Sequence, residues 1–271
     1  MNDLIDLHAH VLPGVDDGPP DVEAAVALCR AIAAGGAEAV VATSHVSPTY
    51  PNAPETLAAA RAELQAALDA AGVPLRVIAG AEVALDIALS LDDDTLTALH
   101  LGGGPYLLAE APLSPAIGDI EPAFVQLAER GHRIVIAHPE RSPTFQRSPE
   151  QLTRLVAGGA LCAVTASAVT GRFGRRAGRL ARELFLDGMV HVVTSDSHDL
   201  AGRPPGLVDD LREGAQRLRG LDELIPYLCR DAPRAILAGD PLPVPPARVD
   251  DLGPPPEKKP GLLSRLRGKR G

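Results

Sequence analysis

The sequence predicts an α/β fold with a mostly parallel sheet, and a barrel of the (β/α) type is the economical architecture. Three observations predict it. Seven short apolar runs alternate with longer stretches of helical spacing. Histidine or acidic residues stand at the ends of six of those seven runs, where functional groups sit in such barrels. The chain has 271 residues, 45% hydrophobic and 23% charged, which is enough for one sizeable core and favours one large domain over two small ones.

The first run, Leu4-Ile5-Asp6-Leu7, ends in His8-Ala9-His10. Residues two apart on a strand share a face, so both imidazoles can reach one metal ion. A turn, Val15-Asp16-Asp17-Gly18-Pro19, then carries carboxylates. Asp21 to Ala34 has helical spacing through Val22, Val26, Leu28 and Ile32. The β-branched run Glu38 to Thr43 is followed by Ser44-His45. Pro54 to Ala71 reads as a helix with proline near its start. Leu75 to Ala79 is a strand followed by Gly80-Ala81-Glu82, and Asp92 to Leu99 a short helix. Gly102-Gly103-Gly104-Pro105 breaks the chain before the strand Tyr106 to Ala109, which ends in Glu110.

Ile117 to Arg130 is helical again. The strand Arg133 to Ala137 runs into His138-Pro139-Glu140-Arg141. Ser148-Pro149-Glu150-Gln151 starts a helix that stops near Gly158-Gly159. Leu161 to Thr165 is the one strand without a ligand at its end. After the helix Gly174 to Asp187, the strand Met189 to Thr194 leads to Ser195-Asp196-Ser197-His198, and two or three helices follow. Between Pro241 and Pro260, eight of twenty residues are proline, which reads as an extended, solvated linker closing a domain of residues 1–240. The basic end, Gly261 to Gly271, reads as a disordered tail, with weak membrane-surface or acidic-partner contact as the second reading.

Charge and motifs exclude several classes. All three lysines, Lys258, Lys259 and Lys269, lie in the last fourteen residues. Six basic residues and one acid from Pro254 onward make the tail +5. Residues 1–253 then carry 20 basic and 34 acidic groups, or -14 of the overall -9. An acidic body argues against nucleic acid as the main partner. No GxGxxG follows the first strand and no GxxxxGK[ST] occurs, so dinucleotide and P-loop nucleotide binding are unsupported. Neither a membrane span nor a secretion signal is visible. Cys29, Cys162 and Cys229 read as reduced cytosolic thiols.

The candidate metal ligands are His8, His10, Asp17, His45, Glu82, Glu110, His138, Asp196 and His198. Each alone has an ordinary reading as a packed or surface group. Together at one end of the strands, they would cost several kcal/mol each if buried unpaired. Cations resolve that penalty. Imidazole and carboxylate without thiolate suit Mn²⁺, Fe or Zn²⁺. Nine ligands suit two or three ions, with Glu82 as the bridge candidate. Clustered divalent metals generate hydroxide at neutral pH and stabilise in-line phosphoryl displacement. Arg141 and Arg203 are placed to take substrate oxygens, since the guanidinium fork matches phosphate. His100, His132 and His191 stand away from the strand ends and read as structural.

These motifs resemble the PHP (polymerase and histidinol phosphatase) superfamily. His8-Ala9-His10, Val15-Asp16-Asp17-Gly18, Thr43-Ser44-His45, Gly80-Ala81-Glu82, Leu108-Ala109-Glu110, Ala137-His138-Pro139-Glu140-Arg141 and Ser195-Asp196-Ser197-His198 carry the resemblance in order, over residues 1 to about 240. They are most similar to its bacterial tyrosine-protein phosphatase branch, of the CpsB/YwqE type found in capsule and exopolysaccharide loci. The resemblance implies a distorted (β/α)₇ barrel, the PHP fold, with three divalent metals, often manganese. It implies that His8, His10, Glu82 and Asp196 hold the first, Glu82, Glu110 and His138 the second, and Asp17, His45 and His198 the third. Arg141 and Arg203 match its phosphate-binding arginines. The implied substrate is a phosphotyrosine protein, typically the tyrosine-rich tail of a bacterial polysaccharide-export kinase. The loop Val46-Ser47-Pro48-Thr49-Tyr50 departs from the family by lacking basic residues, which bears on substrate choice more than on catalysis.

The leading reading is therefore a cytoplasmic, metal-dependent phosphatase acting on phosphotyrosine. Asp199 or a metal-bound water is its candidate leaving-group acid. A thiol route is closed, because Gly35, Ala168 and Ala235 stand where Cys-x₅-Arg would need arginine. A phosphoesterase for small monoesters such as histidinol phosphate is the alternative. A non-catalytic metal-binding adaptor of an export complex is the non-enzyme alternative. The binuclear amidohydrolase form needs a lysine, and residues 1–253 have none.

Overall fold

The computed structural model describes residues 3–114 and 118–252. Its strands are β1 (Leu4–Ala9), β2 (Ala37–Ala42), β3 (His45–Val46), β4 (Arg76–Ala79), β5 (Glu82–Ala84), β6 (Tyr106–Glu110), β7 (Arg133–Ala137), β8 (Leu161–Thr165), β9 (Val192–Thr194), β10 (Leu218–Arg219) and β11 (Asp250–Asp251). All seven apolar runs contain strand. The order β1-β2-β4 forms one parallel sheet and β3-β5-β6-β7-β8-β9 another.

The two sheets share their middle. β2 and β3 are one extended run broken at Thr43-Ser44, and β4 and β5 one run broken at Gly80-Ala81. Ala42 faces Ala79 before the break and His45 faces Glu82 after it, so the register offset is unchanged. Thr43 N donates to Ala9 O (3.1 Å) and Glu82 N to Ser44 O (3.2 Å), which carries backbone bonding through the break. Gly80 is required there by close approach: a Cβ would lie 2.7 Å from the Val41 side chain. At the far edges, His10 N donates to Ser197 O (2.9 Å) and Asp196 N to His8 O (3.0 Å). The end of β1 is thereby tied to the turn after β9.

Strand parity explains the two cores. Leu107 and Ala109 of β6 join a large cluster that also contains Phe124, Phe145 and Leu180 of the helices. Tyr106 and Leu108 face the other way, into a smaller cluster with Leu7, Val41, Val135 and Val192. Strands buried on both faces give continuous apolar runs rather than alternation. Glu110 has the parity of Tyr106 and Leu108. It therefore emerges at the strand end above the smaller cluster.

The helices follow local signals. Asp21 caps Val22–Ala34 by accepting from Ala24 N (2.9 Å), and Asp92 caps Asp93–Ala98 by accepting from Thr95 N (2.7 Å). Pro54 opens Pro54–Ala70, and Pro149 opens Pro149–Ala157, which ends at Gly158. The helix expected over Ile117 to Arg130 is Glu121–Glu129, and Ile117 lies outside the described residues. Short helices at Leu85–Ser90 and Pro143–Arg147 had no sequence expectation.

The stretch after residue 240 differs from a solvated linker. Leu242 and Ala247 pack against the large cluster, Val249 is buried, and β11 pairs antiparallel with β10. Proline forbids helix here but permits an extended strap whose apolar residues still find the body. The basic tail from Gly261 lies outside the described residues. Among the described residues no helix is long and apolar enough to cross a membrane. The three cysteines are free and buried, and burial pushes the Cys29 thiol up to about 12.

Candidate metal centre

All nine predicted ligands and both arginines meet at the C-terminal ends of the strands. Glu82, fully buried, is the hub. Its Oε1 lies 2.7 Å from His138 Nε2 and 3.7 Å from His8 Nε2. Its Oε2 lies 3.0 Å from His45 Nδ1 and 3.3 Å from His10 Nε2. Asp196 Oδ1 is 3.0 Å from His8 Nε2, and Glu110 Oε1 is 3.7 Å from His138 Nε2. Asp17 Oδ1 faces His198 Nε2 at 3.3 Å and His45 Nε2 at 3.5 Å. Donor atoms within 4.8 Å of one another fall into four overlapping sets: His10-Asp17-His45-His198, His8-His10-Glu82, His8-His138-Asp196 and His45-Glu82-Glu110.

Neighbouring groups fix the rings. Asp16 Oδ2 sits 2.8 Å from His10 Nδ1, so Nδ1 carries hydrogen and Nε2 is the nitrogen turned to the cluster. Asp16 also accepts from His45 N and Gly18 N, both at 3.0 Å. Thr43 Oγ1 accepts from Ala9 N, donates to Ala9 O and accepts from His8 Nδ1 at 3.0 Å. His198 Nδ1 donates to Asp196 O (3.0 Å). The turn Ser195 to His198 hangs on buried Asp6, which accepts from Ser195 N (3.0 Å) and from the Ser195 hydroxyl.

Among the described residues, positive φ outside glycine is confined to this site. His138 (φ 28°) and Asp196 (φ 52°) are the non-glycine residues with positive φ among those described. Such conformations cost on the order of 1–3 kcal/mol and persist where surroundings enforce them. At His138 the kink turns the chain from β7 into the short helix Pro139–Arg141, closed by Arg141 N donating to His138 O (2.9 Å). One tight turn thus presents both an imidazole and a guanidinium to the same space.

The electrostatics fit divalent cations. Five carboxylates, Asp16, Asp17, Glu82, Glu110 and Asp196, face two guanidiniums, those of Arg141 and Arg203. Burial works against charge on His10, yet its bond to Asp16 and the nearby Glu82 carboxylate hold it up at about 10. Burial, then the Glu82 charge, pushes Glu110 up to about 8. Burial and the Arg141 charge bring His138 down to about 4. Despite burial, the charges of His8 and His138 hold Glu82 well below the ordinary range, and the bond to His8 does so for Asp196. A buried imidazolium is compensating carboxylates that a metal ion would neutralise. His10 Nε2, Glu82 Oε2 and His138 Nδ1 are buried without hydrogen-bond partners, and buried polar atoms are rarely left so.

The arginines stand at the mouth. Arg141 Nη1 and Arg203 Nη2 both donate to Asp196 Oδ2. Arg203 Nη1 also donates to His198 Nε2 (2.6 Å), and the Arg141 guanidinium lies 4.7 Å from the centre of the Phe173 ring. Their open donors can take anionic oxygens, and the arrangement suits a phosphoryl group brought to the cluster.

Asp199 does not enter the cluster. Despite some burial, bonds from Ala201, Gly202 and Arg203 amides keep its carboxyl low, and it folds the loop that carries Arg203. Sequence reasoning missed Asp6, Asp16 and Thr43 as supports. The doublet Asp16-Asp17 and an aspartate inside an apolar strand were signals for two of them. His100, His132 and His191 lie outside the cluster.

A profile of the family described as capsular polysaccharide synthesis, CpsB/CapC, matches residues 4–237. Tyrosine-protein phosphatase YwqE of Bacillus subtilis (strain 168) is 31% identical over 201 residues, covering 74% of this chain and 79% of that protein. The putative tyrosine-protein phosphatase CapC of Staphylococcus aureus is 28% identical over 202 residues, covering 74% and 79%. A chain from the crystal structures of YwqE from Bacillus subtilis and CpsB from Streptococcus pneumoniae, described as unique metal-dependent tyrosine phosphatases, superposes with a TM-score of 0.77 at 27% identity. It covers 90% of this chain and 100% of that one. The chain therefore belongs to the CpsB/CapC family of capsular polysaccharide synthesis.

Proposed function

We propose that this chain is a metal-dependent protein-tyrosine phosphatase that regulates capsular or exopolysaccharide synthesis. The observation that carries the reading is the convergence of five histidines and five carboxylates with two mouth arginines on one buried cluster. The named relatives, tyrosine-protein phosphatases, support it.

Divalent ions held by these histidines and carboxylates would supply Lewis acidity at the cluster. The chain's own residues do the rest. Arg141 and Arg203 hold equatorial phosphoryl oxygens and place phosphorus over the cluster. Asp16, Thr43 and the Asp196 carbonyl keep three imidazoles in the tautomer that ligation needs. Burial of Glu82 and Asp196 excludes water that would weaken those interactions.

The finer reading is three ions, manganese first, with Fe or Zn²⁺ as alternatives. His8, His10, Glu82 and Asp196 take one, Glu82, Glu110 and His138 a second, and Asp17, His45 and His198 a third. The third set lies within one of the observed groups of donor atoms, and the Glu82 distances support its sharing. We read the two sheets as one distorted seven-stranded barrel, supported by the unbroken register and the bonds between the β1 and β9 ends. Residues 1–240 form the phosphatase domain, and the protein works in the cytoplasm on the tyrosine-rich tail of a polysaccharide-export kinase. The test compares kcat/KM of the metal-loaded protein on a phosphotyrosyl peptide with that on histidinol phosphate and sugar phosphates. Preference for the peptide supports the reading. Preference for a small ester replaces it with the small-monoesterase alternative, and partner binding without turnover under any metal replaces it with the adaptor.

A further inference from the structure

The chain is poor in aromatics: three tyrosines, four phenylalanines and no tryptophan. Five of the seven, Tyr106, Tyr227, Phe124, Phe145 and Phe185, are buried in the cores. The two that reach the surface are Tyr50 and Phe173, and both touch the candidate centre. Tyr50 stacks on His45, ring centres 5.7 Å apart and planes within 8°. Phe173 lies beneath the Arg141 guanidinium. They come from different loops, Tyr50 after β3 and Phe173 after β8. β8 is the strand whose end offers no ligand, and its loop brings an apolar ring instead.

Both rings are held in place. Ser47 N donates to Tyr50 O (3.0 Å) and Tyr50 N to Ser47 Oγ (3.2 Å). Asn52 Nδ2 ties the same loop to Val15 O and His45 O, both at 2.9 Å. Phe173 is flanked by Gly171 and Gly174, both at positive φ, and Arg172 N donates to Ser167 O (3.2 Å). Rings fixed before binding lose little entropy when they receive a partner.

We infer that Tyr50 and Phe173 are specificity-determining residues that receive the aromatic ring of an aryl phosphate, an inference that rests on the phosphatase reading above. In a phosphotyrosine the ring is bonded directly to the bridging oxygen. With phosphorus at Arg141 and Arg203, that ring must lie at the mouth, where the two aromatic side chains stand. Offset or edge contact with them favours an aryl ester over an alkyl one.

The test measures competitive inhibition of the manganese-loaded enzyme by phenylphosphonate and methylphosphonate. Neither has a leaving group, so the ratio of their inhibition constants reads ring recognition alone. Wild type is expected to prefer phenylphosphonate. Tyr50→Leu and Phe173→Leu should each lower that preference roughly three- to tenfold, leaving methylphosphonate within about twofold. Phe173→Tyr should restore it. Equal weakening of both inhibitors would overturn the assignment, because the ring would then act only through Arg141 or His45. An unchanged ratio alongside phosphotyrosine hydrolysis overturns the ring assignment and leaves the phosphatase standing. Absence of phosphotyrosine hydrolysis in wild type overturns both.

Discussion

Two groups of buried histidines lie in this molecule, and they differ in how their nitrogens are satisfied. Away from the cluster, His100 Nδ1 donates to Gly104 O (2.8 Å), His100 Nε2 meets His132 Nδ1 (3.0 Å), and His132 Nε2 meets Asp93 Oδ1 (3.2 Å). Every ring nitrogen there has a partner, and a single carboxylate ends the chain. At the strand ends, five histidines crowd around carboxylates, and nitrogens of His10 and His138 are left without hydrogen bonds. Burial alone therefore does not mark a ligand. Convergence with unsatisfied donor atoms does.

The sharpest way to break the comparison is to remove one imidazole from each group. His10→Ala should lower kcat/KM on phosphotyrosine by roughly a thousandfold or more, because on the proposed assignment the cluster would lose a ligand of its first ion. Far-UV circular dichroism should stay that of the folded chain. A His10→Ala protein with full activity contradicts the assignment. Asp16→Asn is the next effect. It weakens the anchor on His10 Nδ1 and should reduce metal affinity by about 10- to 100-fold, read by titration of metal-free protein.

A pH effect should distinguish the groups as well. At pH 7 the metal-free chain carries a proton on His10, held up at about 10, and one on Glu110, pushed up to about 8. Both must leave before those groups can ligate. Metal binding should release about two protons at pH 7, and apparent affinity should rise as pH climbs from 7 toward 10. Calorimetry in two buffers of different ionisation enthalpy measures the release, and none at all would count against His10 and Glu110 as ligands. The smallest effect belongs to the other group. His132→Gln should cost about 1 kcal/mol of stability, seen as a shift in denaturant midpoint, and leave kcat/KM unchanged.

Much of this was legible in the sequence because ligands and strands mark one another. Each ligand except Asp17 stands at the end of an apolar run. Parity puts Glu110 on the face of Leu108, while the irregular pairing between Asp6 and Ala9 and the positive φ at His138 break the alternation at His8 and His138. The supports were less legible. Thr43 acts on His8 through a fold in which β2 lies beside β1, and Asp6 acts on Ser195 across the sequence. Neither contact has a local signature. The breaks at Thr43-Ser44 and Gly80-Ala81 were invisible because they preserve register. The packing of Leu242 and Val249 was hidden by proline, which reports on helix and sheet but not on burial.

The central claim is that one metal cluster performs the phosphatase chemistry. Its most direct test is kcat/KM on a phosphotyrosyl peptide for a single preparation, before chelation, after chelation verified by metal analysis, and after manganese is returned. Loss of roughly a thousandfold followed by recovery is the predicted result. Full activity in protein shown to be free of metal would contradict it.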